Sequence, residues 1–161
     1  MTRTGIGFDT HVLVAGRPLI MGGVAIAHER GLLGHSDADV LTHAVMDALL
    51  GAIADGDIGQ HFPPSEARWK DANSIALLRQ VVARLHSQGW LVGNVDATVL
   101  AEAPRLAPHI PGMRACLAEA LRVEIQQVSV KATTNEGLGA IGRREGISAM
   151  AVATVVPEKP T

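Results

Sequence analysis

Three side chains in the first third of the chain have the chemical types that bind a transition metal. Asp9 and His11 stand two residues apart in the segment GIGFDTHVL, and His43 stands in DVLTHAVMDALL. Carboxylate and imidazole groups are ligands of Zn²⁺, whose catalytic sites combine three protein ligands with one open position. Two histidines and one carboxylate also bind non-haem iron. These residues therefore predict a metal centre with a free coordination position.

The same spacing allows an interpretation without a metal. Residues 4–13 are predicted to form a strand, in which positions i and i+2 share a face, so Asp9 and His11 project together. Such a pair is more often hydrogen-bonded to the backbone than bound to an ion, because buried polar groups are usually satisfied within the protein. The spacing alone leaves both interpretations open.

A helix must supply the third side chain. Apolar residues recur at helical spacing over residues 39–54, and His43 lies at the edge of the apolar stripe. Asp39 and Asp47 stand four residues before and after His43, on the same side of the helix. Either carboxylate is predicted to accept the second ring N–H of His43, which is the usual support for a metal-binding histidine.

Two polar segments have the composition of phosphate-binding loops. His35 and Ser36 precede the predicted helix in GHSDADV, where free backbone N–H groups favour an anion. In KATTNEGLG, Thr133, Thr134 and Glu136 could serve a nucleotide phosphate and Mg²⁺, which is held by one or two carboxylates together with substrate phosphates. The alternatives are that Ser36 only caps the helix, in a capping-box pattern, and that the second segment is a polar turn.

The remaining pattern predicts one α+β domain over residues 1–161, with a two-layer α/β arrangement. A mixed sheet with helices packed on one face is expected from the order of elements. The last strand is apolar on both faces, so it is predicted to be buried on both sides, with the sheets of neighbouring copies associating. Besides those above, strands are predicted at 18–26, 90–100, 128–132 and 146–156, helices at 72–86 and 112–122, loops at 31–37, 55–66 and 103–111, and a frayed tail at 157–161.

Composition and charge exclude several classes of function. Of 161 residues, 47% are hydrophobic and 19% are charged, which is typical of a globular domain. The formal net charge is −2, and the chain has no basic tract and only two Phe and two Trp, so no nucleic-acid partner is expected. No apolar run has membrane-spanning length, and no signal-peptide pattern is present. The single cysteine, Cys116, fits a reducing compartment, and we expect a cytoplasmic protein without a membrane partner.

Several longer segments, which cover nearly the whole chain in order, carry a resemblance to a known family. They are GFDTH, GLLGHSDADVLTHAVMDALLGA, GDIGQHFP, GNVDATVLAEAPRLAPHIPGMR, VKATTNEGLG and GRREGI. Together they resemble the 2-C-methyl-D-erythritol 2,4-cyclodiphosphate synthase family. The resemblance implies an α/β fold and a homotrimer with active sites between adjacent subunits. It also implies a cyclising lyase of the non-mevalonate route to isoprenoid precursors, which converts 4-diphosphocytidyl-2-C-methyl-D-erythritol 2-phosphate into the cyclic diphosphate and CMP.

The resemblance further implies a role for particular residues. His35 and Thr134 correspond to positions that steady the developing charge in catalysis. The cation ligands correspond to Asp9, His11 and His43 for Zn²⁺ and to Glu136 for Mg²⁺ (or Mn²⁺). The residues expected to contact the diphosphocytidyl substrate are Asp9, Thr10, His11, His35, Ser36, Asp57, Ile58, Gly59, Phe62, Pro63, Pro64, Ser65, Glu66, Ala101, Glu102, Ala103, Pro104, Arg105, Leu106, Ala107, Thr133, Thr134, Asn135, Glu136, Ala140 and Arg143.

Two other functions stay open at this point. A non-haem iron oxygenase would use the same two histidines and one carboxylate. A non-catalytic trimer would bind a phosphorylated metabolite or a metal without releasing CMP. Metal analysis followed by incubation with the diphosphocytidyl substrate distinguishes the three.

Overall fold

The computed structural model describes residues 1–158 and contains one mixed sheet with helices against it. The strands are β1 (Arg3–Ala15), β2 (Leu19–Met21), β3 (Val24–Ile26), β4 (Arg30–Leu32), β5 (Trp90–Leu100), β6 (Val128–Thr133) and β7 (Gly146–Pro157). The α-helices are α1 (Val40–Ala52), α2 (Ile58–His61), α3 (Ser74–Ser87), α4 (Ile110–Leu121) and α5 (Gly139–Gly142), with 3₁₀ turns at Ala67–Trp69, Ala107–His109 and Ile125–Gln127.

The five-stranded sheet has the order β4-β1-β7-β5-β6. The pair β5–β6 is parallel and the other neighbours are antiparallel, so the predicted mixed sheet is confirmed. The predicted strand at 18–26 is divided into β2 and β3, which form a separate hairpin with its turn at Gly22 and Gly23, both of which have positive φ. This topology places the carboxyl ends of the parallel pair side by side, which brings the loops that follow β5 and β6 together.

One face of the sheet is covered and the other is open. Alternate residues of β7 that face α1, from Ile147 to Val155, are at most 1% exposed, and most of α1 is buried. On the opposite face of the same strand, Met150 is 43% exposed and Val152 is 39% exposed. Helix α1 packs on one face only, so burial of the last strand on its other face stays a prediction that depends on association between copies.

The contact between α1 and β1 depends on two glycines. A Cβ atom added at Gly7 would lie 2.0 Å from the carbonyl oxygen of Ala44, and one added at Gly5 would lie 2.1 Å from that of Ala48. Non-bonded atoms cannot approach this closely, so only glycine lets the helix backbone rest on the strand at these positions. This close approach sets the distance between the strand that carries Asp9 and the helix that carries His43.

Some predicted boundaries differ from those of the structure. The predicted loop 31–37 contains the end of β4, and the predicted loop 55–66 contains the one-turn helix α2, which Asp57 caps. Helix α4 begins at Ile110 rather than at residue 112, because proline is compatible with the first turn of a helix. Of the predicted tail, Pro157 ends β7, and residues 159–161 lie outside the described residues.

Candidate metal centre and substrate pocket

Asp9, His11 and His43 converge on one point between β1 and α1. Asp9 Oδ2 lies 2.8 Å from His11 Nε2 and 2.9 Å from His43 Nδ1, and the two ring nitrogens are 3.2 Å apart. Three ligand atoms at bond lengths of about 2.0–2.1 Å around a tetrahedral cation are separated by about 3.3 Å. A small outward movement of the side chains therefore admits a divalent cation, and the triad fits one.

The far nitrogens of both imidazoles are held by other groups. His11 Nδ1 donates to the carbonyl oxygen of Leu33 at 2.8 Å, which leaves the lone pair of Nε2 facing the centre. His43 Nε2 lies 3.1 Å from the hydroxyl of Ser36 and 3.0 Å from that of Ser74, so Nδ1 faces the centre. Such bonds orient a ligating histidine and fix its tautomer. The Ser74 hydroxyl in turn donates to the carboxylate of Asp37.

The predicted partners of His43 have other roles. Asp39 is the N-cap of α1, where it accepts from the backbone of Thr42, and it also accepts from Gly22 N and Gly23 N at 2.8 Å each. Asp47 accepts from the backbone N–H of Ile58 at 2.8 Å. The prediction that one of these carboxylates supports His43 is wrong, because both are occupied by backbone donors. Burial raises the pKa of Asp39, although these hydrogen bonds oppose the shift.

Ser36 does not cap the helix. Its hydroxyl accepts from Ala38 N at 3.2 Å and contacts His43, whereas Asp39 occupies the cap position. The capping-box interpretation of Ser36 is therefore wrong, because the N-cap lies three residues later, at Asp39. The turn before the helix instead directs this hydroxyl towards the metal centre.

Burial and mutual attraction act in opposite directions on the ionisable groups of the triad. Burial disfavours the charged forms of Asp9 and His11, but the hydrogen bonds and charges between them outweigh it. The pKa of Asp9 is consequently held below its ordinary value by His11 and His43, and the pKa of His11 is raised above its ordinary 6.5. In the absence of a cation, the Asp9 carboxylate is ionised and the His11 ring is protonated at weakly acidic pH, so the two side chains form an ion pair there.

Acidification should release a bound cation at a higher pH than an ordinary histidine would. A cation requires the neutral ring, so below the raised pKa of His11 each binding event must expel a proton, and affinity should fall at least about tenfold per pH unit. Metal-free protein behaves in the opposite sense: the His11 contribution to the free energy of unfolding is complete below pH 6.5 and is lost as pH rises through the raised pKa. Equilibrium dialysis against zinc from pH 8 to pH 5 measures the first effect, and constant affinity over that range would contradict it.

A cavity of about 240 Å³ opens beside the triad. Phe62 and Trp69 form part of its apolar wall and meet edge to face, with ring centroids 5.1 Å apart. Nine predicted site residues line it: Asp9, His11, His35, Ser36, His43, Ile58, Gly59, Phe62 and Pro64. Three further lining residues, Met46, Trp69 and Leu77, are absent from the sequence prediction. An aromatic residue inside a polar segment was the available signal for Trp69, whereas Met46 and Leu77 look like ordinary apolar helix positions.

The loop that carries His35 and Ser36 is braced by the segment that precedes α3. The backbone N–H of Asp71 donates to the carbonyl oxygen of His35 at 2.8 Å, and Asp37 N donates to Ala72 O at 3.1 Å. Arg17 Nη2 also donates to the carbonyl oxygen of Ser36 at 2.8 Å. These bonds use backbone atoms, so the imidazole of His35 stays exposed at the cavity. It is free to contact an anionic ligand there.

A second cavity, of about 350 Å³, lies at the carboxyl ends of β5 and β6. It shares no lining residue with the first cavity. Its walls contain eight predicted residues, Ala101, Glu102, Pro104, Arg105, Leu106, Ala107, Thr133 and Thr134, together with Ala132. Within one chain, the predicted nucleotide loops therefore form a pocket of their own and do not complete the metal site.

The other predicted site residues line neither cavity. Thr10 points to the open face of the sheet, where its hydroxyl lies 2.8 Å from that of Ser148. Glu66 pairs with Arg68, and Arg143 Nε donates to Glu145 at 2.7 Å. The residues in this group are Thr10, Asp57, Pro63, Ser65, Glu66, Ala103, Asn135, Glu136, Ala140 and Arg143.

Comparison with known proteins identifies the family. A family model for the YgbB family matches residues 2–156. This chain belongs to the YgbB family. The predicted resemblance is thereby confirmed, because similar curated relatives are 2-C-methyl-D-erythritol 2,4-cyclodiphosphate synthases. The one from Desulfitobacterium hafniense is 56% identical over 97% of this chain and 99% of its own length, and the one from Salinibacter ruber is 60% identical over 95% and 98%.

Solved structures of YgbB-family relatives share the fold. The complex of Plasmodium falciparum IspF with CDP has a TM-score of 0.86 and is 31% identical, covering 98% of this chain and 97% of its own. The bifunctional IspDF of Campylobacter jejuni has a TM-score of 0.93 and is 39% identical, with 96% of this chain matching 42% of that protein. Within residues 1–158, no helix combines the length and the apolar character needed to cross a bilayer.

Proposed function

We propose that this chain is the cyclising lyase that forms 2-C-methyl-D-erythritol 2,4-cyclodiphosphate in the non-mevalonate pathway. Its substrate is 4-diphosphocytidyl-2-C-methyl-D-erythritol 2-phosphate, and its second product is CMP. The observation that carries the proposal is the convergence of Asp9, His11 and His43 beside a cavity that His35 and Ser36 also line. The near full-length similarity to synthases of this name supports the same reaction. We propose a cytoplasmic location.

The reaction is an intramolecular phosphoryl transfer. An oxygen of the 2-phosphate attacks the β-phosphorus of the diphosphate, and the bond from that phosphorus to the bridging oxygen breaks, so CMP leaves with the electron pair. No protein nucleophile is required, and the protein contributes by holding the attacking and leaving oxygens in line and by balancing charge. When bound at the triad, Zn²⁺ supplies Lewis-acid polarisation of a phosphate oxygen.

The first cavity is lined by both polar and apolar residues. His35 and Ser36 are placed to donate to phosphate oxygens next to the triad. Ile58, Phe62 and Trp69 contribute apolar surface to the same cavity, which suits the methyl-bearing carbon chain and excludes water from the reacting groups. Asp57 precedes Ile58 but does not line the cavity; its carboxylate accepts from Gln60 N at 3.0 Å, and we infer that it also accepts from hydroxyl groups of the erythritol.

We infer that the complete site forms between copies of the chain in a homotrimer. The two cavities share no residue, although the substrate must occupy both a metal site and a nucleotide site at once. The open face of the sheet exposes apolar side chains, with Ile6 at 66% and Phe8 at 58% exposure, which is typical of an interface. Sedimentation equilibrium should give three times the chain mass of 16.9 kDa, and a monomer mass would contradict the assembly.

Incubation of the zinc-loaded protein with the diphosphocytidyl substrate tests the function. Chromatography should show CMP and the cyclic diphosphate in equal amounts. Binding of the substrate without CMP would instead indicate a non-catalytic role. Iron in the purified protein, with oxygen-dependent activity, would indicate an oxygenase.

Replacement of Glu136 by glutamine should weaken the response to Mg²⁺. The Glu136 carboxylate is exposed beside the second cavity and accepts from the Thr134 hydroxyl at 2.9 Å, so it is free to contact a cation held by substrate phosphates. We expect the Mg²⁺ concentration for half-maximal CMP release to rise about tenfold or more, with zinc content unchanged. Glu119→Gln, an exposed carboxylate on α4 that pairs with Arg79, is the control. An unaltered Mg²⁺ response in Glu136→Gln would refute the role.

A further inference from the structure

Glu102 joins the two loops that form the second cavity. The parallel pair β5–β6 ends at Leu100 and Thr133, and Glu102 follows the first of these strands. Its Oε1 atom accepts from the backbone N–H of Asn135 at 2.8 Å and from that of Gly137 at 3.2 Å. One carboxylate oxygen therefore receives two backbone donors from the neighbouring loop.

The two donors flank Glu136, whose backbone is in an uncommon conformation. Glu136 has φ +51°, and Gly137 has φ +75°. The left-handed region is unfavourable for a residue other than glycine, because its Cβ atom comes too close to the following carbonyl oxygen. Backbone N–H groups that converge on one side of such a turn form a concavity that binds anions, and here the Glu102 carboxylate fills it. The carboxylate of Glu102 therefore stabilises the conformation that determines where the Glu136 side chain points.

The geometry also couples the nucleotide loop to the cation ligand. Ala101 N donates to Thr133 O at 3.0 Å, so the loops already meet through their backbones. The residues of the first loop that line the second cavity are Ala101, Glu102, Pro104, Arg105, Leu106 and Ala107. Glu102 adds the side-chain connection that reaches as far as residue 137. A shift of the first loop is thus transmitted to the turn that holds Glu136.

We propose that Glu102 is a positioning residue, which holds the 135–137 backbone so that Glu136 reaches the cation bound to the substrate diphosphate. The inference rests on the proposed function, in which Glu136 is the protein contact of that cation. Glu102 acts through its hydrogen-bond acceptor geometry rather than through direct contact with the cation. The length of its side chain and an acceptor oxygen at its end are both required, whereas its negative charge is not.

Three variants separate geometry from charge. Glu102→Gln keeps the length and an acceptor oxygen, Glu102→Asp keeps the charge on a shorter arm, and Glu102→Ala removes both. Binding of Mn²⁺ to zinc-loaded protein with CDP, followed by electron paramagnetic resonance, gives a readout that is independent of turnover. We expect affinity to fall about 10- to 100-fold in Glu102→Ala and about tenfold in Glu102→Asp, and to change less than about threefold in Glu102→Gln.

The outcomes decide the proposal in each case. Unchanged Mn²⁺ affinity in Glu102→Asp would overturn the proposal, because the length of the Glu102 side chain would then not be required. A loss of Mn²⁺ affinity in Glu102→Gln as large as in Glu102→Asp would also overturn it, because the negative charge of Glu102 would then be required. If Glu102→Ala does not fold, the comparison of Glu102→Asp with Glu102→Gln still tests the proposal. Glu119→Ala is the matched control and should bind Mn²⁺ normally.

Glu136→Gln in the same titration separates this inference from the proposed function. If Glu136→Gln leaves Mn²⁺ binding with CDP unchanged, the cation role of Glu136 fails and the inference fails with it. If Glu136→Gln weakens Mn²⁺ binding but Glu102→Asp does not, the positioning role alone is refuted. Equal zinc content and equal thermal midpoints across Glu102→Gln and Glu102→Asp show that a difference in Mn²⁺ affinity is not a general loss of structure.

Discussion

Replacement of His43 by alanine should abolish both cation binding and CMP release. His43 Nδ1 lies 2.9 Å from Asp9 Oδ2 and 3.2 Å from His11 Nε2, so its loss leaves two ligands where a catalytic cation needs three. We expect bound zinc to fall below about a tenth of an equivalent. Turnover should fall at least about 1000-fold, since losing a Lewis acid costs more than losing one hydrogen-bond donor. Metal analysis and the CMP assay measure the two effects.

His86→Ala is the matched control for this variant. His86 lies in the last turn of α3, about 18 Å along the helix axis from Ser74, and should keep full zinc content and activity. Because His43 also contacts the buried hydroxyls of Ser36 and Ser74, His43→Ala should lose about 1–3 kcal/mol of unfolding free energy. Circular dichroism checks that the variant is folded during the assay. Full zinc occupancy in folded His43→Ala would remove His43 from the ligand set.

Replacement of Gly7 by alanine should destabilise the fold and weaken the metal centre together. The new Cβ would lie 2.0 Å from Ala44 O and 2.7 Å from Ala48 N, both in the backbone of α1, which cannot give way locally. The helix must therefore move off β1, and we expect a loss of about 3 kcal/mol or more in the free energy of unfolding. Because β1 carries Asp9 and α1 carries His43, zinc affinity should fall as well. Urea unfolding and zinc titration of the same preparation test the coupling.

Gly51→Ala is the control, and it should change the free energy of unfolding in the opposite direction from Gly7→Ala. Gly51 lies near the end of α1, and the nearest atom to an added Cβ is Ile6 O at 3.8 Å, which is ordinary contact. Alanine should raise the free energy of unfolding by about 0.5–1 kcal/mol, because it restricts the unfolded chain and favours helix. Equal stability of Gly7→Ala and Gly51→Ala would contradict the tight contact between strand and helix.

The two elements that carry the triad were predictable because their patterns are local. Positions 9 and 11 of a strand share a face whatever surrounds them, and the apolar spacing of residues 39–54 marks a helix. The resemblance then identified most of the first cavity. The short strands β2 and β4 and the one-turn helix α2 were less accessible, because each depends on contacts with distant parts of the chain.

The support of His43 could not be predicted from helix spacing. Its far nitrogen is held by Ser36 and Ser74, which stand 7 and 31 residues away, and Ser74 arrives there because α3 begins against the loop before α1. Asp39 was unavailable because the glycine turn between β2 and β3 supplies it with backbone donors. Each of these partners is set by tertiary packing, which leaves no periodic signal in the sequence.

The pairing of β1 with β7 gives a bound cation a part in folding. Asp9 stands opposite Ala149 and His11 opposite Ile147, with both ligands on the covered face. A slip of one residue would turn both ligands outward and drive Phe8 against the backbone of α1. The misaligned chain would then have no triad, so a cation that binds the triad stabilises the correct alignment relative to the misaligned one.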